Sequence, residues 1–158
     1  MGCGKTTIGE ALARQLDCKF IDLDSFITAR EHLSPAEIIQ TRDETSFRRI
    51  ETLALRDVLE DRHARVIALG GGTWSLPENR TLIALHDCLS IWLDASFELC
   101  WNRITANPET VRPMAPDRET GAARFGTRRN DYALAERKVG VGDSDNPETI
   151  VKRILTQL

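Results

Sequence analysis

Six residues near the start of the chain, Gly2-Cys3-Gly4-Lys5-Thr6-Thr7, restrict its fold more than any other segment. They match the end of the pattern G-x-x-x-x-G-K-[ST], in which consecutive backbone N–H groups surround a phosphate at the start of a helix. Glycines are needed there because side chains would block the close approach and the unusual dihedrals. The segment that follows, Thr6 to Leu16, places Ile8, Ala11, Leu12 and Leu16 on one helical face. A GKTT occurring by chance would have no need of an amphipathic helix directly behind it. Lys5 therefore reads as a point charge on the β and γ phosphates of a nucleotide, and the Thr6 hydroxyl as a ligand of Mg²⁺. The pattern's first glycine would lie two residues before Met1, and the strand that should lead into the loop is missing from the sequence as well. The recorded chain is expected to begin at an internal methionine, and a version extended upstream by one strand is expected to melt higher and bind ADP more tightly.

Behind the loop, helical and extended segments alternate. KFIDLD (19–24), RVIAL (65–69), LSIWL (89–93) and VGV (139–141) read as strands. SPAEII (34–39) carries a capping box, Ser34 with Glu37, and a proline at the first helical position. A long helix is expected over 41–61, opened by a second capping box, Thr41 with Glu44, and facing inward through Phe47, Ile50, Leu53, Ala54, Val58 and Leu59. Further helices are expected over Pro77–Leu85, Ser96–Thr105, roughly 124–137, and after Asn146-Pro147, the last with Ile150, Val151, Ile154 and Leu158 inward. The stretch 106–123, rich in Pro, Gly, Asp and Arg, reads as a mobile loop. Apolar strands between amphipathic helices indicate an α/β domain with a parallel sheet covered on both faces, in which four strands are visible.

Bulk properties exclude several classes. The 158 residues carry a net charge of −3, so no strong field attracts nucleic acid or an anionic membrane, and basic residues act one by one. Charged residues interrupt the amino terminus and no apolar run reaches membrane-spanning length, so a cytoplasmic protein is the expectation. Cys3, Cys18, Cys88 and Cys100 show no C-x-x-C spacing, and only three histidines accompany them. Four reduced thiols, at least two of them in the core, are expected rather than zinc or disulfides.

Four more groups of residues carry chemistry. Asp22 and Asp24 end a strand with Leu23 between them, so alternation sends both carboxylates to one side. The bland reading has Asp24 capping the next helix at Ser25. Arg48 and Glu51 are three apart on a helix and can pair, either holding the guanidinium in a fixed direction or as an ordinary surface ion pair. Gly70-Gly71-Gly72 ends an apolar strand, where a ligand can lie against the backbone or the chain can simply turn. Arg112-Pro113-Met114 sits in the long loop and Arg128 follows near Tyr132. These are solvated charges, or cations that a closing loop carries to a phosphate.

Taken together, G-C-G-K-T-T-I-G, F-I-D-L-D, F-R-R-I-E, the strand with G-G-G, R-P in the loop, R-x-x-x-Y and the proline before the last helix resemble the shikimate kinase family over nearly the whole chain. The resemblance implies a three-layer αβα P-loop fold over 1–158 as a single domain. Its central parallel sheet has five strands in the family, its lid lies at about 106–127, and its substrate-binding helices at about 25–61. It implies transfer of the ATP γ-phosphate to the 3-hydroxyl of shikimate in aromatic amino acid biosynthesis, with ATP and Mg²⁺ as cofactors and a monomeric chain. By the same resemblance, Gly2, Cys3, Gly4, Lys5, Thr6 and Thr7 would hold the nucleotide phosphates. Thr6 and Asp22 would serve the metal, Asp24 the accepting hydroxyl, and Arg48 and Arg128 the substrate carboxylate, with Glu51 orienting Arg48. Gly70, Gly71 and Gly72 would border the substrate, Arg112 would touch the transferred phosphoryl, and Arg103 and Pro147 would flank the adenine. The chain departs from the family at Asp43-Glu44, in EHLSP (31–35), and in the loop RPMAPDRETGAARFG. Two alternatives stay open: a kinase of another small hydroxy acid such as gluconate, and a nucleotide-binding relic without turnover.

Overall fold

The computed structural model describes residues 2–62, 64–106 and 117–158. Along the chain run α1 (Lys5–Gln15), β1 (Phe20–Asp22), α2 (Leu23–Glu31), α3 (Pro35–Thr41), α4 (Glu44–Asp61), β2 (Val66–Ala68), a 3₁₀ turn (Thr73–Ser75), α5 (Pro77–Leu85), β3 (Ile91–Ala95), α6 (Phe97–Thr105), α7 (Arg118–Tyr132), β4 (Arg137–Val141) and α8 (Pro147–Leu155). All four expected strands are present. Among the described residues they form two parallel pairs rather than one continuous sheet. β1 lies beside β2 with Phe20 opposite Val66, and β3 beside β4 with Ile91 opposite Arg137. Parallel neighbours need a crossover. α2, α3 and α4 provide it for the first pair, α6 and α7 for the second.

Two compact units make up the chain. One comprises Met1–Ala11 with Leu89–Leu158, the other Leu12–Cys88. In the second unit Leu23, Ile27, Ile38, Phe47, Ala54, Leu55, Val58, Leu59 and Ile83 form one buried cluster. The first unit buries Ile8, Leu99, Val139, Val141, Ile150, Val151 and Ile154. Leu158 is 64% exposed and Leu53 48%, so neither joins the inward face expected for it. On α4 the buried stripe is Phe47, Glu51, Ala54, Leu55 and Val58, the i, i+4, i+7, i+8 pattern of a helix face, and Leu53 falls off it. The stripe includes a glutamate.

Caps explain where the elements stop and start. Both halves of the Ser34–Glu37 capping box form, and Asn146 accepts from the Thr149 N–H to open α8. The second capping box does not form. The chain leaves α3 at Arg42, and Asp43, not Thr41, caps α4 by accepting from the Ser46 N–H at 2.5 Å. α7 begins at Arg118, earlier than expected, because Asp117 accepts from both the N–H and the hydroxyl of Thr120. The carboxyl-terminal part of the presumed loop is thus helical. All four cysteines are free thiols. Cys100 is buried and Cys88 packs against the core of the second unit. Among the described residues no helix is long and apolar enough to cross a membrane, and no cluster of three or more His, Cys, Asp or Glu could hold a metal ion.

Candidate functional site

The expected site residues fall into two groups. Gly2, Cys3, Gly4, Lys5, Thr6, Thr7, Arg103, Arg128 and Pro147 belong to the first unit, and Asp22, Asp24, Arg48, Gly70, Gly71 and Gly72 to the second. Arg112 lies outside the described residues.

In the first unit the loop is shaped by its glycines. Gly2 and Gly4 have φ of 65° and 91°, in the left-handed region that side chains resist. At Gly2 space forbids a side chain as well, since an added Cβ would lie 2.5 Å from the Cys100 carbonyl oxygen. The turn delivers the chain into α1 at Lys5, so the N–H groups of the first helical turn follow the glycines directly. Backbone amides in such an arrangement, with a lysine at the helix start, form a cradle for phosphate oxygens. Thr6 and Thr7 are exposed on the first turn. Arg103 of α6 donates to the Cys3 carbonyl at 3.4 Å and so braces the loop. Arg128, Tyr132, Cys3, Trp92, Cys100 and Phe125 line a mainly apolar cavity. Burial pushes the Tyr132 phenol above its ordinary value, against the pull of Arg128 and Lys5. Burial also pushes up the Cys100 thiol, aided by Cys3, so it stays protonated and unreactive.

In the second unit the arrangement rests on side chains. Asp22 and Asp24 do not share a strand face. β1 ends at Asp22, and α2 begins at Leu23 because Asp22 itself caps it, accepting from the Ser25 N–H at 3.1 Å. Asp24 therefore stands in the first turn of α2. Its Oδ1 lies 2.8 Å from where a Cβ on Gly70 would sit, as does Glu51 Oε1, with Thr73 Oγ1 at 3.0 Å. A side chain at residue 70 would displace two carboxylates and a hydroxyl.

Arg48 is held on every side. Its Nη1 donates to Glu51 Oε2 at 2.7 Å and its Nη2 to Glu44 Oε1 at 3.0 Å. The guanidinium stacks over the Phe47 ring, 5.1 Å from the centroid. It also lies close against Gly72, where an added Cβ would fall 2.5 Å from Nη2. Burial works against the cation, yet Glu51 and Glu44 outweigh it and the guanidinium binds its proton more tightly than usual. The pair is no ordinary surface contact: Glu51 is 0% exposed. Gly70 and Gly72 are buried, with Gly71 half-buried between them. A fixed guanidinium beside a carboxylate and a glycine-lined backbone can receive a small anionic polyol, since arginine grips a carboxylate with two parallel hydrogen bonds.

Sequence reasoning gave Glu44 only a capping duty and missed Thr73 altogether. Glu44 was within reach of the i, i+4 rule. Thr73 is 22 residues from Glu51, and no local pattern connects them.

The family described as "SKI: Shikimate kinase" matches residues 1–158. A curated shikimate kinase of Synechococcus elongatus is 37% identical over 157 residues, which cover 98% of this chain and 80% of the relative. The crystal structure of shikimate kinase from Bacteroides thetaiotaomicron matches with a TM-score of 0.88 at 27% identity, over 100% of this chain and 94% of that one. The shikimate kinase from Acinetobacter baumannii, solved in complex with shikimate, matches with a TM-score of 0.87 at 25% identity, over 99% of this chain and 87% of the other. The α/β architecture with parallel strands is shared with these structures.

Proposed function

This chain belongs to the shikimate kinase family, and from that premise we propose that it transfers the γ-phosphate of ATP to the 3-hydroxyl of shikimate. The observation that carries the reading is the clamped Arg48, with Glu44 and Glu51 on its nitrogens and Gly72 behind it. Such a guanidinium is a prepared receptor for one carboxylate, and the carboxyl group of shikimate suits it. The Acinetobacter baumannii relative binds shikimate, as its complex records.

The duties divide between the units. In the first, the amides after Gly2 and Gly4 and the ammonium of Lys5 bind the nucleotide phosphates and neutralise the charge that grows during transfer. Arg103 steadies the loop through the Cys3 carbonyl. Thr6 offers a hydroxyl oxygen, a hard donor of the kind Mg²⁺ takes, and Asp22 of the second unit offers a carboxylate of the same kind. When bound, Mg²⁺ supplies further charge neutralisation on the phosphates. In the second unit, Arg48 holds the acid, Asp24 contacts the accepting hydroxyl and receives its proton, and Gly71 offers backbone to the ring. Arg128, on α7, serves the same carboxylate as a second cation in this reading.

A coupled ADP-release assay across shikimate, quinate and gluconate tests the reading. Turnover on shikimate well above the other two is the expected result. Strong turnover on gluconate alone overturns it.

A further inference from the structure

We propose that Thr73 is a positioning residue for acceptor recognition: its hydroxyl fixes the plane of the Glu51 carboxylate, so that Arg48 presents a single face to the substrate acid. The inference rests on the functional reading above and deepens it.

Glu51 interrupts the apolar stripe of α4 and is 0% exposed. A carboxylate in that setting needs hydrogen-bond donors on its oxygens. Arg48 serves Oε2 at 2.7 Å and Thr73 Oγ1 serves Oε1 at 2.6 Å. With Arg48 alone, the carboxylate could pivot about one bond and carry the guanidinium with it. A donor on the second oxygen removes that freedom.

Thr73 is itself immobilised. It is 0% exposed, its N–H donates to the Gly70 carbonyl at 3.2 Å, and its carbonyl accepts from Asn79 Nδ2 at 3.0 Å. Asn79 is also 0% exposed. The glycine run thus ends in a hydroxyl anchored from both sides. That hydroxyl has one proton, and it is committed to Glu51.

The test compares Thr73→Val, which keeps shape and removes the hydroxyl, with Thr73→Ser, which keeps the hydroxyl. Thr73→Val is expected to raise the KM for shikimate about tenfold, the weight of one hydrogen bond to a charged group. The KM for ATP should stay within about twofold, and Thr73→Ser should restore the native shikimate KM. A role in packing alone would move both KM values together and would not separate Ser from Val. A second readout needs no turnover. In NMR spectra at low temperature, the Arg48 Nη resonances should be resolved in the native protein and Thr73→Ser, and averaged in Thr73→Val. If Thr73→Val does not fold, Thr73→Ala takes its place against the same serine control. Resolved Nη signals in the hydroxyl-free variant, or an unchanged shikimate KM, overturn the proposal. Should the native protein fail to phosphorylate shikimate, the functional reading falls and the Nη signals alone decide the role of Thr73.

Discussion

In the first unit the proposed receptor for anions is main chain: two glycines with positive φ leading into the first turn of α1. In the second it is side chain: one guanidinium held by Glu44, Glu51 and the Phe47 ring, with Thr73 behind Glu51. The first kind is written in consecutive residues, because an amide cradle is made from neighbours along the chain. The second is assembled from α4 and the turn after β2, and each member needs the others in place before it can act. Backbone receptors tolerate changes in surrounding side chains. Side-chain receptors fail one link at a time.

The largest expected effect separates the halves at their cations. Lys5→Ala should lower kcat by about a thousandfold or more, because transferred charge loses its main protein partner, while shikimate affinity measured by titration calorimetry stays near native. Arg48→Ala should do the reverse, weakening shikimate by about a hundredfold with ADP affinity unchanged. If Arg48→Ala harms ADP binding instead, the division of labour drawn here is wrong. A smaller effect sharpens the contrast. Gly72→Ala places a methyl group 2.5 Å from Arg48 Nη2, so the guanidinium must shift. The shikimate KM should rise about tenfold, with nucleotide binding intact, as measured by steady-state kinetics with each substrate varied in turn.

The smallest expected effect concerns stability alone. Asp94 on β3 pairs with Arg129 at 2.7 Å and Lys138 at 2.9 Å, and both cations lie over the Trp92 ring. Burial pushes the Asp94 carboxyl up, yet Lys138 and Arg129 together hold it below the usual range. A carboxyl lowered by folding stabilises the protein above its unfolded value, about 3.9, and loses that contribution as pH falls through the folded value. Asp94→Asn should therefore lower Tm near neutrality by a few degrees, about 1 kcal/mol for a partly exposed network. The gap should close as pH drops below about 4. A gap that persists in acid would mean that Asp94 acts through packing.

Legibility in the sequence followed the same line. Gly2 to Thr7 could be read because the cradle is contiguous, and the Ser34–Glu37 box because both halves lie within one turn. Thr41 and Glu44 had the same spacing and misled, since α3 had not yet ended and Asp43 stood in the better place to cap. Asp22 and Asp24 were read as a strand pair, but a strand of three residues leaves Asp22 at a helix start. Residues 118–123 were read as loop from composition, although Asp117 and Thr120 held a cap signal. The Arg48–Glu51 pair was visible as spacing. Its burial was not, because burial depends on what the 3₁₀ turn and α5 bring over α4. Thr73 left no local trace for the same reason.

A buried acid in the middle of an otherwise oily helix face has a consequence for how the protein matures. α4 cannot settle into the interior of its unit until Glu51 has found Arg48 and Thr73, because a lone anion there is far too costly. Closing of this core and setting of the guanidinium therefore go together, so a molecule that has packed α4 carries Arg48 already fixed in direction.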